Sequence, residues 1–116
     1  MSEASRPATI EDLKVLVASL NERGARYLLI GGYALAAHGY HRATIDIDVL
    51  VPASREAGRA VRQALLVLPD RAAEDIDPEW FEEGENIRIA DEIVVDVMFN
   101  AAGETFETLE RFAETI

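Results

Sequence analysis

Three aspartates interrupt two otherwise apolar stretches of this chain. Asp46 and Asp48 stand in "TIDIDVLV", and Asp96 stands in "IVVDVMF". Because side chains alternate along a strand, Asp46 and Asp48 share one face and lie about 6 to 7 Å apart, while the alternate residues face the core: Ile45, Ile47 and Val49. Their repulsion is roughly 2 to 3 kcal/mol at an effective dielectric constant near 20, so the pattern calls for a compensating cation. Arginine or lysine would serve, but Mg²⁺, or Mn²⁺ in its place, suits paired carboxylates better.

Asp96 is a third carboxylate in a stretch that reads as a buried strand. Burying one uncompensated carboxylate is costly, which predicts that Asp96 shares the cation site of the other two. The alternative is a carboxylate at a sheet edge that forms an ion pair with an arginine. The sequence leaves both interpretations open.

Gly31 and Gly32 follow a short apolar strand that is predicted to be buried, and they precede a short helix. Glycine lets the backbone approach a ligand closely, and a helix N-terminus favours negative charge, so the pair predicts an anion-binding turn. Arg42 and Thr44 share the parity of Asp46 and are candidates for phosphate contact, since an arginine offers a planar fork of donors. For Arg42, charge balance against the aspartates is an equally open role.

The elements that must position these residues follow from periodicity, caps and breakers. Their order predicts a single α/β domain, residues 1–116, in which helices pack against one mixed sheet in the order α-β-α-β-α-β-β-α. The predicted elements are a helix at 9–23, a strand at 27–30, a helix at 33–39, a strand at 44–51, a helix at 54–68, strands at 86–89 and 93–99, and a C-terminal helix with Phe106, Leu109 and Phe112 facing inward.

The amino-acid composition excludes or disfavours several classes of function. The 116 residues contain no cysteine, which excludes disulfides, thiolate metal sites and a cysteine nucleophile. No apolar run approaches the about 20 residues that cross a bilayer, so we expect a cytoplasmic protein without membrane association. Twenty-two acidic and eleven basic residues give a net charge of −11, which disfavours extended nucleic-acid binding. The acidic segment 73–85 is interpreted as a solvated loop around a short helical turn, with a docking surface for a basic partner as the alternative.

The combination of Gly31-Gly32, Asp46-x-Asp48 and Asp96 resembles the signature of the DNA polymerase beta-type nucleotidyltransferase superfamily. The likeness is greatest to its small members, the minimal nucleotidyltransferases and relatives encoded with toxin–antitoxin or abortive-infection systems. This resemblance implies metal-dependent transfer of a nucleoside monophosphate from a nucleoside triphosphate, ATP being the expected one, to an acceptor hydroxyl or phosphate.

The resemblance also implies roles for individual residues. Gly31 and Gly32 would hold the triphosphate, Asp46 and Asp48 would bridge two Mg²⁺ ions, and Asp96 would complete one metal site and accept the acceptor's proton. A glycine stands where many relatives have serine, which removes a hydroxyl donor and keeps the amides.

The chain ends soon after the third aspartate, so we expect a protein partner, a second copy of the chain or further sequence to supply the acceptor surface. The alternative function is a catalytically idle nucleotide-binding or antitoxin-like interaction module.

Overall fold

A four-stranded mixed sheet organises the protein. The computed structural model describes residues 5–30, 46–101 and 103–110. Its elements are α1 (Ile10–Glu22), β1 (Leu28–Ile30), β2 (Asp46–Leu50), α2 (Arg55–Leu65), a 3₁₀ turn (Ala72–Asp75), α3 (Trp80–Glu83), β3 (Ile87–Ala90), β4 (Val94–Met98) and α4 (Phe106–Glu110).

The strands lie in the order β1-β2-β4-β3. The two inner strands, β2 and β4, are parallel, and each edge strand is antiparallel to its neighbour. This confirms the predicted combination of helices with one mixed sheet. The 3₁₀ turn and α3 lie between α2 and β3, where a short helical turn was predicted, and the helix predicted at 33–39 lies outside the described residues.

β1 differs from its prediction as a buried strand. All three of its residues are only partly buried, because β1 is an edge strand whose sole described neighbour is β2. The apolar run in the sequence therefore indicated a strand correctly but overstated its burial.

α1 begins and ends where its local sequence requires. The Thr9 hydroxyl accepts a hydrogen bond from the amide of Asp12, and the Asp12 carboxylate accepts one from the Thr9 amide, which completes a capping box. Leu13, Leu16 and Leu20 recur at helical spacing and are buried.

α2 is shorter than predicted. The Ser54 hydroxyl accepts a hydrogen bond from the Ala57 amide at 3.1 Å and caps the helix. The helix ends at Leu65 because the amides of Val67 and Leu68 bond to carbonyls three residues back, at 3.3 and 3.1 Å. These bonds tighten the chain into a turn ahead of Pro69.

The main core lies between the helices and one face of the sheet. Its strand residues are Ile47 and Val49 of β2, Ile89 of β3, and Val95 and Val97 of β4, all buried. Period-two alternation then places the aspartates of β2 and β4 on the opposite face. The prediction that Ile47 and Val49 face the core is thus confirmed.

The acidic segment 73–85 contributes three residues to the core, Ala73, Ile76 and Phe81, so it is not solvated along its whole length. Phe81 is fully buried and makes an edge-to-face contact with Phe99, the ring centroids lying 5.2 Å apart. Trp80 remains 41% exposed.

In the C-terminal helix, Phe106 is buried as predicted and Leu109 is partly buried, while Phe112 lies outside the described residues. Within 5–30, 46–101 and 103–110, the helices are too short or too polar to cross a bilayer.

Candidate functional site

A row of directly paired residues crosses all four strands and contains two of the three predicted aspartates. Asp48 of β2 lies opposite Asp96 of β4 in the parallel register. Ile30 of β1 continues the row beyond Asp48, and Arg88 of β3 continues it beyond Asp96. Asp46 lies two residues before Asp48 and therefore projects from the same face. The sheet thus brings together the three aspartates that stand up to 50 residues apart in the sequence.

Arg88 joins this cluster, although the sequence analysis did not select it. Its Nη1 lies 3.2 and 3.3 Å from the two carboxylate oxygens of Asp96 and 3.3 Å from Oδ2 of Asp46. Because β3 is antiparallel to β4, Arg88 stands directly opposite Asp96 and reaches across β4 to Asp46. The alternation of "IRI", Ile87 to Ile89, was the available signal, since it places the arginine on the face opposite Ile89.

The open question about Asp96 is answered in part. Asp96 does form an ion pair with an arginine, but it stands on an inner strand and shares that arginine with Asp46. The ion pair with an arginine is therefore observed, while a metal site shared with Asp46 and Asp48 stays a prediction.

The cluster carries more negative than positive charge, and two of its carboxyl groups respond. Burial raises the pKa of Asp48 above the ordinary aspartate value, and the charges of Asp96 and Asp46 raise it further, while Arg88 lowers it. Burial also raises the pKa of Asp96, against the lowering effect of Arg88, with Asp46 adding to the increase. Ionised Asp48 and Asp96 are therefore held at a cost in free energy.

The donor set suits a hard divalent cation, although the side chains are not arranged around one. Three carboxylates on one face supply the oxygen ligands that Mg²⁺ and Mn²⁺ prefer, and a guanidinium nitrogen already lies between two of them. Among the residues that the structure describes, no group of three His, Cys, Asp or Glu side chains has the geometry of a metal site. The observed arrangement is an ion-paired cluster whose chemistry fits a cation.

The remaining predicted site residues, Gly31, Gly32, Arg42 and Thr44, lie outside the described residues. Their assignment to triphosphate or phosphate contact stays a prediction.

A groove between α1 and α2, with a volume of about 520 Å³, lies elsewhere on the molecule. Its lining residues belong to these helices and the segment after α2, and none is part of the aspartate cluster. The function is therefore inferred from the chemistry of the aspartate cluster and not from the groove.

Comparison of the chain with protein-family models, with curated proteins and with solved structures gives no significant match. The function of the protein is therefore inferred from its residues and their arrangement.

Proposed function

We propose that this protein is a metal-dependent nucleotidyltransferase that moves a nucleoside monophosphate from a nucleoside triphosphate to an acceptor hydroxyl or phosphate. One observation carries the proposal: Asp48 and Asp96 stand opposite each other on the parallel inner strands, with Asp46 on the same face. A fold that only needed a stable sheet has no use for this repulsion, whereas a site for divalent cations requires it. The nucleotidyltransferase-like order of elements is part of the same proposal.

In this proposal the aspartates have two tasks. Asp46 and Asp48 would hold two Mg²⁺ ions, or Mn²⁺ in their place, and Asp96 would complete the site on the acceptor side. When bound, such ions lower the pKa of an attacking hydroxyl and neutralise developing phosphate charge. Asp96 is also the carboxylate that we assign to take the acceptor's proton.

Gly31 and Gly32 would hold the triphosphate through their amides, with Arg42 and Thr44 as further phosphate contacts. The acceptor surface is assigned to a protein partner or a second copy of the chain. An association with a toxin–antitoxin or abortive-infection system belongs to this proposal as well.

A second function is favoured by a different observation. Arg88 already compensates Asp46 and Asp96, so the cluster is also consistent with a catalytically idle nucleotide-binding or antitoxin-like module. The two functions differ in whether the aspartates are needed for turnover or only for structure.

Label transfer separates these functions. The protein is incubated with Mg²⁺, labelled nucleoside triphosphates and cell extract, and wild type is compared with Asp46→Asn and Asp96→Asn. We expect each substitution to lower transfer about 100-fold or more, because each removes a charge that acts directly on the reacting groups. Asp75→Asn is the matched control, since Asp75 is an exposed acid in the 3₁₀ turn.

Transfer that survives both aspartate substitutions would contradict the assigned site. No transfer with any triphosphate would favour the binding module. Calorimetry then tests that module directly: ATP binding that is unchanged by Mg²⁺ would show that the aspartates do not hold metal beside the nucleotide.

A further inference from the structure

Arg88 bridges two carboxylates that project from one face of the sheet. Three separate contacts to two carboxylates are made by a single nitrogen, Nη1, at 3.2 to 3.3 Å. The guanidinium therefore serves Asp46 and Asp96 as a shared point charge and does not form a two-nitrogen fork with either. A cation held by Asp46 and Asp96 would compete with this nitrogen for the same carboxylates.

The contacts of Arg88 are also long for charge-assisted hydrogen bonds, which normally lie near 2.7 to 2.9 Å. Arg6 provides the comparison within the same chain: its two terminal nitrogens contact the two oxygens of Asp12 at 2.6 and 2.8 Å. The side chain of Arg88 is 58% exposed, while those of Asp46 and Asp96 are 22% exposed. Arg88 therefore has room to leave, whereas the carboxylates are held in the sheet.

Release of Arg88 would uncover a cluster of three negative charges. Asp48 already feels the charges of Asp46 and Asp96, and the positive charge of Arg88 is the one described group that offsets them in its electrostatic surroundings. A divalent cation at the same carboxylates would repel the guanidinium and supply twice its charge. The two cations therefore compete for one set of ligands.

We infer that Arg88 is a displaceable internal counterion: it stabilises the aspartate cluster without metal and lowers the cluster's affinity for divalent cations until metal replaces it. This inference rests on the proposed metal site and adds a regulatory residue to it. Arg88 acts through Asp46 and Asp96, so it is a positioning residue for the ligands.

The test measures Mn²⁺ binding without nucleotide, by calorimetry and by electron paramagnetic resonance, at one fixed low ionic strength. Arg88→Gln removes the charge, and Arg88→Lys keeps it. We expect Arg88→Gln to bind Mn²⁺ about 3- to 10-fold more tightly than wild type, because one repulsive charge a few ångströms away is lost. Arg88→Lys should stay within about twofold of wild type, since charge dominates the competition.

Thermal unfolding supplies a second readout. In EDTA, Arg88→Gln should melt about 2 to 5 °C below wild type, because the carboxylates then repel one another without compensation. Saturating Mn²⁺ should raise the melting temperature of this variant more than that of wild type and close the gap.

Two control variants show whether the change in Mn²⁺ affinity arises at the aspartate cluster. Arg55→Gln removes an arginine that also bridges two carboxylates, at 2.9 Å from Glu79 and 3.2 Å from Glu82, but away from the sheet. It should leave Mn²⁺ affinity unchanged. Asp46→Asn removes a proposed ligand and defines the background from other acidic groups.

Equal or weaker Mn²⁺ binding by Arg88→Gln, with wild type still binding above the Asp46→Asn background, would overturn the counterion role and leave the metal site intact. Binding at background level in both wild type and Arg88→Gln would overturn the metal site and the inference together.

Discussion

At the scale of single residues, the aspartate cluster holds like charges close together, which lowers the stability of the fold. Asp48 has two like-charged neighbours, because Asp96 stands opposite it and Asp46 stands two residues away on the same face. Arg88 contacts Asp46 and Asp96, and its positive charge partly offsets the repulsion between them and Asp48. A charge in this position weakens the metal-free fold and, in the proposed metal site, would strengthen the binding of a cation.

Asp48→Asn should therefore stabilise the metal-free protein. Removing one charge relieves its repulsion with two neighbours, and we expect the free energy of unfolding in EDTA at neutral pH to rise by about 1 to 2 kcal/mol. Urea unfolding measures this change, with Asp75→Asn as the exposed control. The same variant should lose stabilisation by Mn²⁺. A lower stability of Asp48→Asn in EDTA would show that the Asp48 charge is favourable in the fold.

Gly58 on α2 is a second residue at which a close contact matters, because its surroundings leave no room for a side chain. A Cβ at this position would lie 2.9 Å from the Phe81 ring and 2.9 Å from the Pro78 carbonyl oxygen. Phe81 is fully buried and the carbonyl belongs to the backbone, so neither can move away easily. The glycine therefore permits α2 to approach α3.

Gly58→Ala should destabilise the protein despite the higher helix propensity of alanine. Overpacking costs about 1 to 3 kcal/mol and the gain in propensity is about 1 kcal/mol, so we expect a net loss of about 1 to 2 kcal/mol in urea unfolding. Arg59→Ala, at the next and exposed position of α2, should change stability by less than about 0.5 kcal/mol. Increased stability of Gly58→Ala would mean that the helices separate without cost.

At the scale of elements, the caps explain why α1 and α2 begin where they do. The cap of α1 extends beyond its own helix, because Arg6 adds two hydrogen bonds to the Asp12 carboxylate and one to Glu92. The hydrogen bonds from Arg6, together with those from Thr9, hold the pKa of Asp12 well below its usual range. The ionised form of Asp12 is thus part of the folded structure.

Asp12→Asn should lose stability in a pH-dependent way. Because the pKa of Asp12 is lowered on folding, the stability it contributes is present above the ordinary aspartate value of about 3.9 and disappears as the pH falls toward the lower folded value. We expect a loss of about 1 kcal/mol at pH 7, mainly from the weakened cap, and a smaller difference at pH 3.

Urea unfolding at the two pH values checks the prediction. Glu11→Gln is the matched control, since Glu11 occupies the same first turn but is 82% exposed and lies 3.6 Å from Lys14. A difference between wild type and Asp12→Asn that is independent of pH would show that the charge of Asp12 has no role in the cap.

At the scale of the whole molecule, the turn between β3 and β4 connects distant parts of the chain. The carboxylate of Asp91, only 3% exposed, accepts hydrogen bonds from the amides of Asp70, Ala72 and Glu92 at 2.7 to 2.8 Å. The Asp91 carbonyl in turn accepts one from the Ser5 hydroxyl at 2.7 Å. The turn thereby joins the N-terminal segment to the segment that follows α2.

Asp91→Ala should strongly destabilise the protein. It leaves three amide donors without their acceptor, two of them in a different segment, and we expect a loss of about 3 to 5 kcal/mol. Asp91→Asn should recover only part of this loss, because its amide nitrogen must face one of the amide donors.

Asp70→Asn provides the control, because Asp70 uses its backbone amide in this network and its side chain is exposed. Urea unfolding should find it within about 0.5 kcal/mol of wild type. A loss below about 1 kcal/mol for Asp91→Ala would show that water replaces the carboxylate.

Local patterns in the sequence predicted much of this fold. The capping residues Thr9 and Ser54, the buried stripe of α1 and the inward direction of Ile47 and Val49 all depend on neighbours within a few positions of the chain. Such features follow from helix and strand periodicity alone. The same periodicity placed Asp46 and Asp48 on one face before any tertiary information was used.

The composition of the aspartate cluster depended on contacts that no local pattern contains. The parallel register of β2 and β4 brings Asp96 opposite Asp48, and the position of β3 at the sheet edge brings Arg88 to both Asp46 and Asp96. Strand order and register are set by which residues pack across the core, over separations of up to 50 positions for the aspartates. Sequence periodicity thus determined which face carries the charges, while tertiary packing decided which charges meet.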